Sequence, residues 1–249
     1  MSPPHVRPRL GHVLLAVGLC GIGALDLRYA DFALNWQPVP AGLPLRPYLA
    51  CGSGALLILC AAGTFIRPIS GTALSALAWV TLSWLALMEA PRVAVHPLNE
   101  GDWLGFCETL MLTAGTWLLR IRREGRGGRA LRAGQIAFGA SLPLIGLSHF
   151  MYARSAVGLV PTWLPMRLGL VYLTGAAHVA AGAAVLLGVI PLVAATAEAA
   201  MLTCFVLLIH LPGIVHDPTG RLPWTMLCIA TAYVGAAWLA AGSFRKTSP

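Results

Sequence analysis

Charged residues are scarce in this sequence. Asp, Glu, Lys and Arg make up 10% of its 249 residues, against about a quarter of a typical soluble domain. Hydrophobic residues make up 57%, and the mean hydropathy is +0.75. The apolar residues fall into runs near the roughly 20 residues that a membrane-spanning helix needs. The composition therefore excludes an ordinary soluble protein and predicts an integral protein of the lipid bilayer.

Closely spaced cysteine pairs are also absent. Six cysteines are scattered along the chain, and no two of them form a C-x-x-C motif. This spacing argues against a dithiol relay and against a structural zinc site. We expect no metal site, and we interpret the cysteines as small apolar packing residues.

The apolar runs do not alternate with polar residues, as the strands of a membrane barrel would. Continuous runs in lipid require helices, because only a helix satisfies its own backbone groups. The sequence thus predicts an all-α, polytopic membrane protein with eight transmembrane helices. The expected spans cover about residues 10–30, 48–66, 70–90, 103–121, 133–152, 166–188, 191–211 and 224–244.

The basic residues are unevenly distributed between the loops. With the N-terminus inside, eleven of the 17 Lys and Arg residues fall on the inner side and six on the outer side. This excess predicts that both termini are cytoplasmic. The net charge of +8 then reflects cytoplasmic loops, and we expect no nucleic-acid partner. The inner set is Arg7, Arg9, Arg67, Arg120, Arg122, Arg123, Arg126, Arg129, Arg132, Arg245 and Lys246.

One loop motif, V-P-x-x-L-P, occurs twice. It spans Val39–Pro44 and again Val160–Pro165, a spacing of 121 residues at which two tryptophans also recur. The pattern predicts a tandem duplication of a four-helix unit. Because four spans are an even number, both copies keep one orientation, and they form two parallel four-helix-bundle repeats. The expected boundaries are 1–121 for the first repeat, 122–132 for a basic cytoplasmic loop and 133–249 for the second repeat.

The second copy resembles the DoxX/DoxD-like family of small bacterial membrane proteins. The resemblance rests on Gly146 with His149-Phe150, on the Val160–Pro165 loop and on Thr174-Gly175. His178 stands where that family often has Glu. The first copy is degenerate, with Asp26 and Leu57 at the positions of His149 and His178. The resemblance implies a four-helix bundle linked to respiratory or sulfur redox complexes and to quinones.

Ionisable side chains within the spans are the candidate site residues, because they are costly to place in lipid. His149 and His210 lie near the outer ends of their helices, and we expect them to meet beneath the Val160–Pro165 loop. Their counterparts in the first copy, Asp26 and Glu89, are also ionisable. Interfacial side chains that reach headgroups or cap helix ends are the alternative interpretation.

His178 and Glu198 are the deeper pair. Counting back from the tight turn near residues 188–191 places them at similar heights on adjacent helices, at about 1.5 Å per residue. We expect a buried His–Glu pair, which serves either as a proton relay or as a polar clamp that fixes helix packing.

The leading functional hypothesis is a DoxX-like, redox-associated protein of the bacterial inner membrane. It would be an accessory or quinone-interacting subunit, with a respiratory or redox protein as its partner. Whether the chain is an enzyme stays open. Among cofactors, a quinone is favoured over haem, although two histidines can ligate haem iron. The alternatives are a small-molecule transporter and a membrane scaffold for partner proteins.

Overall fold

The computed structural model describes residues 10–245, whose regular structure is entirely helical. Arg7, Arg9 and Lys246 of the predicted inner set lie outside this range. Within it, the chain forms eight long helices joined by short connections. They are α1 (Leu10–Tyr29), α2 (Arg46–Gly63), α3 (Ser70–Val95), α4 (Glu100–Arg123), α5 (Gly128–Met151), α6 (Arg167–Leu187), α7 (Pro191–His216) and α8 (Arg221–Ser243).

Helices α3 and α7 run past the prolines that were expected to end them. Each contains one π-helical turn, at Leu85–Glu89 and Val206–His210, two residues before Pro91 and Pro212. A proline lacks an N–H and clashes with the preceding turn, and the wider π turn accommodates this disruption. The expected ends at residues 90 and 211 are therefore wrong, and each helix continues for a further turn or more.

The two V-P-x-x-L-P loops have the same local geometry. Leu45 and Met166 precede α2 and α6 in the left-handed region, with φ of 59° and 51°. The next residue is an arginine in both cases. Arg46 donates a hydrogen bond to the carbonyl of Val39, and Arg167 donates one to the carbonyl of Val160 at 3.0 Å. Both loops lie at the same end of the bundle, which we call the loop end.

The packing order of the helices links the two halves of the chain. Helices α1 to α4 pack in sequence, as do α5 to α8. In addition, α1 packs along α8, α4 packs along α5, and α4 contacts α8. Small residues allow the close approaches. Gly115 of α4 lies against Ala236 of α8, and Gly235 lies against Leu15. The halves thus share a central α4–α8 seam.

Seven of the eight long helices in residues 10–245 are long and apolar enough to cross a membrane. The exception is α4, which carries Glu100, Asp102 and Glu108 as well as arginines in its last turn. It nevertheless packs among α3, α5 and α8. The expected basic loop is largely helical, because α4 ends at Arg123 and α5 begins at Gly128. The chain is therefore an all-helical, multi-pass membrane protein.

Candidate functional site

The structure brings His178 of α6 and Glu198 of α7 together. Nδ1 of His178 lies 2.8 Å from Oε1 of Glu198, and their side chains are 1% and 0% exposed. The contact is close, but it is not aligned as a hydrogen bond, and neither carboxylate oxygen has another hydrogen-bond partner among the described residues. An ionisable pair is thus enclosed within the bundle with unused hydrogen-bonding capacity.

His149 of α5 completes the cluster. Its ring centroid lies 5.1 Å from that of His178, and both imidazoles contact the Phe205 ring at 6.2 Å. Nδ1 of His149 lies 3.0 Å from the hydroxyl of Thr174, which also lies 3.0 Å from the carbonyl of Leu170. The His149 ring is thereby held from one side, and it is half-buried. We call His149, His178, Glu198 and Phe205 the histidine cluster.

Glycines on α5 and α6 allow the two histidines to meet. A Cβ at Gly146 would lie 2.8 Å from a Val179 methyl and 3.0 Å from the Cβ of His178. A Cβ at Gly175 would lie 2.8 Å from the Cβ of His149. Neither helix could approach so closely with larger residues, because cores lack room for an added methyl group. The sequence motif Gly146…His149 thus sets the distance between the helices as well as supplying a side chain.

The turn between α6 and α7 sets the height of Glu198 against His178. Gly188 and Ile190 adopt φ of 73° and 43°, and the left-handed conformation allows α6 to end and α7 to begin within three residues. This tight turn is the one from which the pairing was inferred.

His210 is not among the ring contacts of the histidine cluster in residues 10–245. It is half-buried at the end of the π turn in α7, and the ring contacts of His149 are with His178 and Phe205. The expected approach of His210 to His149 beneath the Val160–Pro165 loop stays a prediction. The histidine that accompanies His149 in the cluster is His178.

In the first half, the positions that correspond to His178 and Glu198 are apolar. Leu57 and Leu77 stand 121 residues before His178 and Glu198, and they are 0% and 1% exposed. Asp26, the counterpart of His149, is fully buried and interacts with Gln37 in the loop after α1. The histidine cluster thus belongs to the second half alone.

A second group of polar residues, centred on Glu89 and Glu108, lies mainly in the first half, and Glu108 was not among the expected site residues. Glu108 of α4 interacts with Tyr233 of α8 and with Trp36 in the loop after α1. Glu89 of α3 is 1% exposed and pairs with Arg92 at 3.3 Å. A carboxylate in the middle of a predicted span is itself a signal of function, so Glu108 could have been found from the sequence.

The chemistry of the histidine cluster is that of hydrogen bonding and proton exchange. A histidine whose Nδ1 faces a carboxylate can accept a proton at Nε2, because the carboxylate stabilises the imidazolium. Phe205 adds an apolar ring surface beside both imidazoles. In the described part of the chain, no three His, Cys, Asp or Glu side chains are grouped as metal ligands would be.

Part of the chain is similar to a known protein family. A family model described as "Domain of unknown function (DUF8561)" matches residues 138–238, less than half of the chain. The matched segment runs from within α5 to within α8 and contains the whole histidine cluster. No curated protein and no solved structure matches the chain significantly.

Proposed function

We propose that the chain is a DoxX-like, redox-associated membrane protein that binds a quinone or quinol head group at the histidine cluster. The observation that carries this proposal is the convergence of His149, His178 and Glu198 beside the Phe205 ring. The imidazoles could hydrogen-bond to the two oxygens of a flat ring, and the Phe205 ring could stack on it. Membrane quinones are ligands of this class.

The pairing of His178 with Glu198 determines which atom of His178 would accept a proton from a ligand. Glu198 faces Nδ1, so that Nε2 is the atom available to a quinol hydroxyl. A quinol would donate one of its two protons there, and the carboxylate would stabilise the resulting imidazolium. The His149 imidazole would take the second proton. A redox partner protein would receive the electrons, in line with a role as an accessory subunit.

The proposed architecture is eight transmembrane helices in two parallel repeats, in the bacterial inner membrane with both termini cytoplasmic. Features that recur after 121 residues support the duplication: the left-handed Leu45 and Met166, and the π turns at Leu85–Glu89 and Val206–His210. The packing of α4 between α3 and α5 supports an eighth span. Reporter fusions after Pro249 should show cytoplasmic activity, and periplasmic activity would refute this topology.

Binding to a short-chain quinol analogue in lipid nanodiscs tests the proposed function. His178→Leu should weaken binding at least about tenfold, which corresponds to one lost hydrogen bond of about 1.4 kcal/mol. His216→Ala is the control, because this histidine is exposed at the end of α7. Equal affinity of the wild type and His178→Leu, or no binding by the wild type, would refute the proposal.

A proton-coupled transporter of small molecules is the second candidate. The observation that favours it is the presence of buried carboxylates in both halves, such as Asp26 and Glu89 in the first and Glu198 in the second. Intramembrane carboxylates are typical of proton-driven transport. Proteoliposomes with an imposed proton gradient should then accumulate substrate, and uptake independent of the gradient would exclude this mechanism.

A further inference from the structure

A chain of polar contacts leads from the loop end into the first half of the molecule. It begins at His96, whose side chain is 62% exposed and whose Nδ1 lies 3.1 Å from Asp102. Asp102 also pairs with Arg92 at 2.5 Å, and Arg92 pairs with the buried Glu89 at 3.3 Å. Solvent and bundle interior are thus connected by four side chains.

The next step leads from Glu89 to the centre of the bundle. A Cβ at Gly105 of α4 would lie 2.9 Å from Oε2 of Glu89, so this carboxylate lies directly against the α4 backbone. Gly105 precedes Glu108 by about one helical turn, so the two residues lie on the same face of α4. The Glu89 carboxylate, which packs against Gly105, therefore lies at the face that carries Glu108. Glu108 in turn interacts with Tyr233 and Trp36.

The group carries more negative than positive charge. Glu100 lies at the start of α4 beside Tyr152, and Oε1 of Glu89 has no hydrogen-bond partner in residues 10–245. The guanidinium of Arg92 is shared between Glu89 and Asp102. Other titratable groups that face the carboxylates from the packed elements are neutral when they are protonated: Cys107 on α4, Tyr152 after α5 and Tyr233 on α8.

We infer that Glu89 and Glu108 bind an exchangeable proton, which they take up from the loop end. Several ionised carboxylates are costly in a low-dielectric interior, and protonation of one of them removes part of this cost. The step is a proton transfer alone: an O–H bond of a hydronium ion breaks, and an O–H bond forms on a carboxylate. Arg92 keeps its protons and fixes the positions of Glu89 and Asp102.

This site is separate from the histidine cluster and does not depend on a quinone. The positions that correspond to Glu108 and Tyr233 in the other half are Ile229 and Leu112, both buried and apolar. The proton site therefore belongs to the first half, as the histidine cluster belongs to the second.

Infrared difference spectroscopy between alkaline and acidic pH tests the inference in lipid nanodiscs. The wild type should show the C=O band of a protonated, buried carboxyl group. Glu89→Gln and Glu108→Gln should each lose part of this band. Glu124→Gln is the control, because Glu124 lies between α4 and α5 and pairs with Arg120 and Arg126. A band unchanged in both test variants would overturn the inference.

One further variant keeps the test decisive if either glutamine variant does not fold. Tyr233→Phe removes the hydroxyl that interacts with Glu108 and should shift the carboxyl band. An unshifted band would count against the site.

Discussion

Single and double replacements of His178 and Glu198 by leucine should have different effects on the free energy of unfolding. The single variants remove one partner of the pair, whereas the double variant removes the whole pair. His178→Leu leaves Glu198, which is 0% exposed, without the imidazole that faces it at 2.8 Å. Removing one partner of a buried ion pair typically costs about 3–5 kcal/mol. Glu198→Leu leaves a neutral histidine unpaired, which costs about 1–3 kcal/mol.

The double variant His178→Leu/Glu198→Leu should be close to the wild type in stability. A buried pair can often be exchanged for hydrophobic residues of similar volume without loss. The first half already contains this arrangement, because Leu57 and Leu77 occupy the corresponding buried positions. The two single effects should therefore be strongly non-additive, with a coupling of about 3 kcal/mol or more.

The measurement is the free energy of unfolding by sodium dodecyl sulfate in mixed micelles, together with the shift in Tm. His216→Leu serves as the control, since that side chain is exposed and its replacement should change stability by less than about 0.5 kcal/mol. The reasoning fails if the double variant loses the sum of the two single losses. That result would mean that each residue stabilises the bundle independently of the other.

Three further predictions concern the loop end, the helix contacts and the α4–α8 seam. Burial raises the pKa of Asp31, but the guanidinium groups of Arg221 and Arg46 outweigh this and hold the pKa below its usual range. The ionised Asp31 therefore stabilises the fold above the pKa that Asp31 has in the unfolded chain, and this stabilisation is lost as the pH falls through the folded pKa. Below a pH of about 4, the Tm of Asp31→Asn should thus depend less on pH than the Tm of the wild type. Gly146→Ala should cost about 1–3 kcal/mol in unfolding free energy, because its Cβ would press on Val179, whereas Gly52→Ala, which meets no atom within 4 Å, should not destabilise. Gly115→Ala should destabilise by a similar amount at the α4–α8 seam, and a Tm equal to the wild type would contradict the close contact.

The sequence by itself determined the helical, membrane-embedded class. Long apolar runs with few charges leave no other way to satisfy the backbone in lipid. The expected spans agree with the helices of the structure to within a few residues, except at Pro91, Pro212 and the basic segment. At the two prolines, the π turns allow α3 and α7 to continue. In the basic segment, the end of α4 and the start of α5 occupy most of the loop expected at residues 122–132. The usual rule that proline ends a helix did not predict the continued helices, because it does not take into account the π turn that precedes each proline.

The pairing of polar residues was decided largely by tertiary structure. His178 and Glu198 could be paired from the sequence, because one tight turn joins their helices and the rise per residue fixes their heights. The contact of His149 with His178 depends on the glycines that draw α5 and α6 together. Glu108 and Tyr233 lie 125 positions apart and meet because α4 packs on α8 across the seam. No periodicity within one helix encodes such a contact, since it arises only when the two halves of the chain pack against each other.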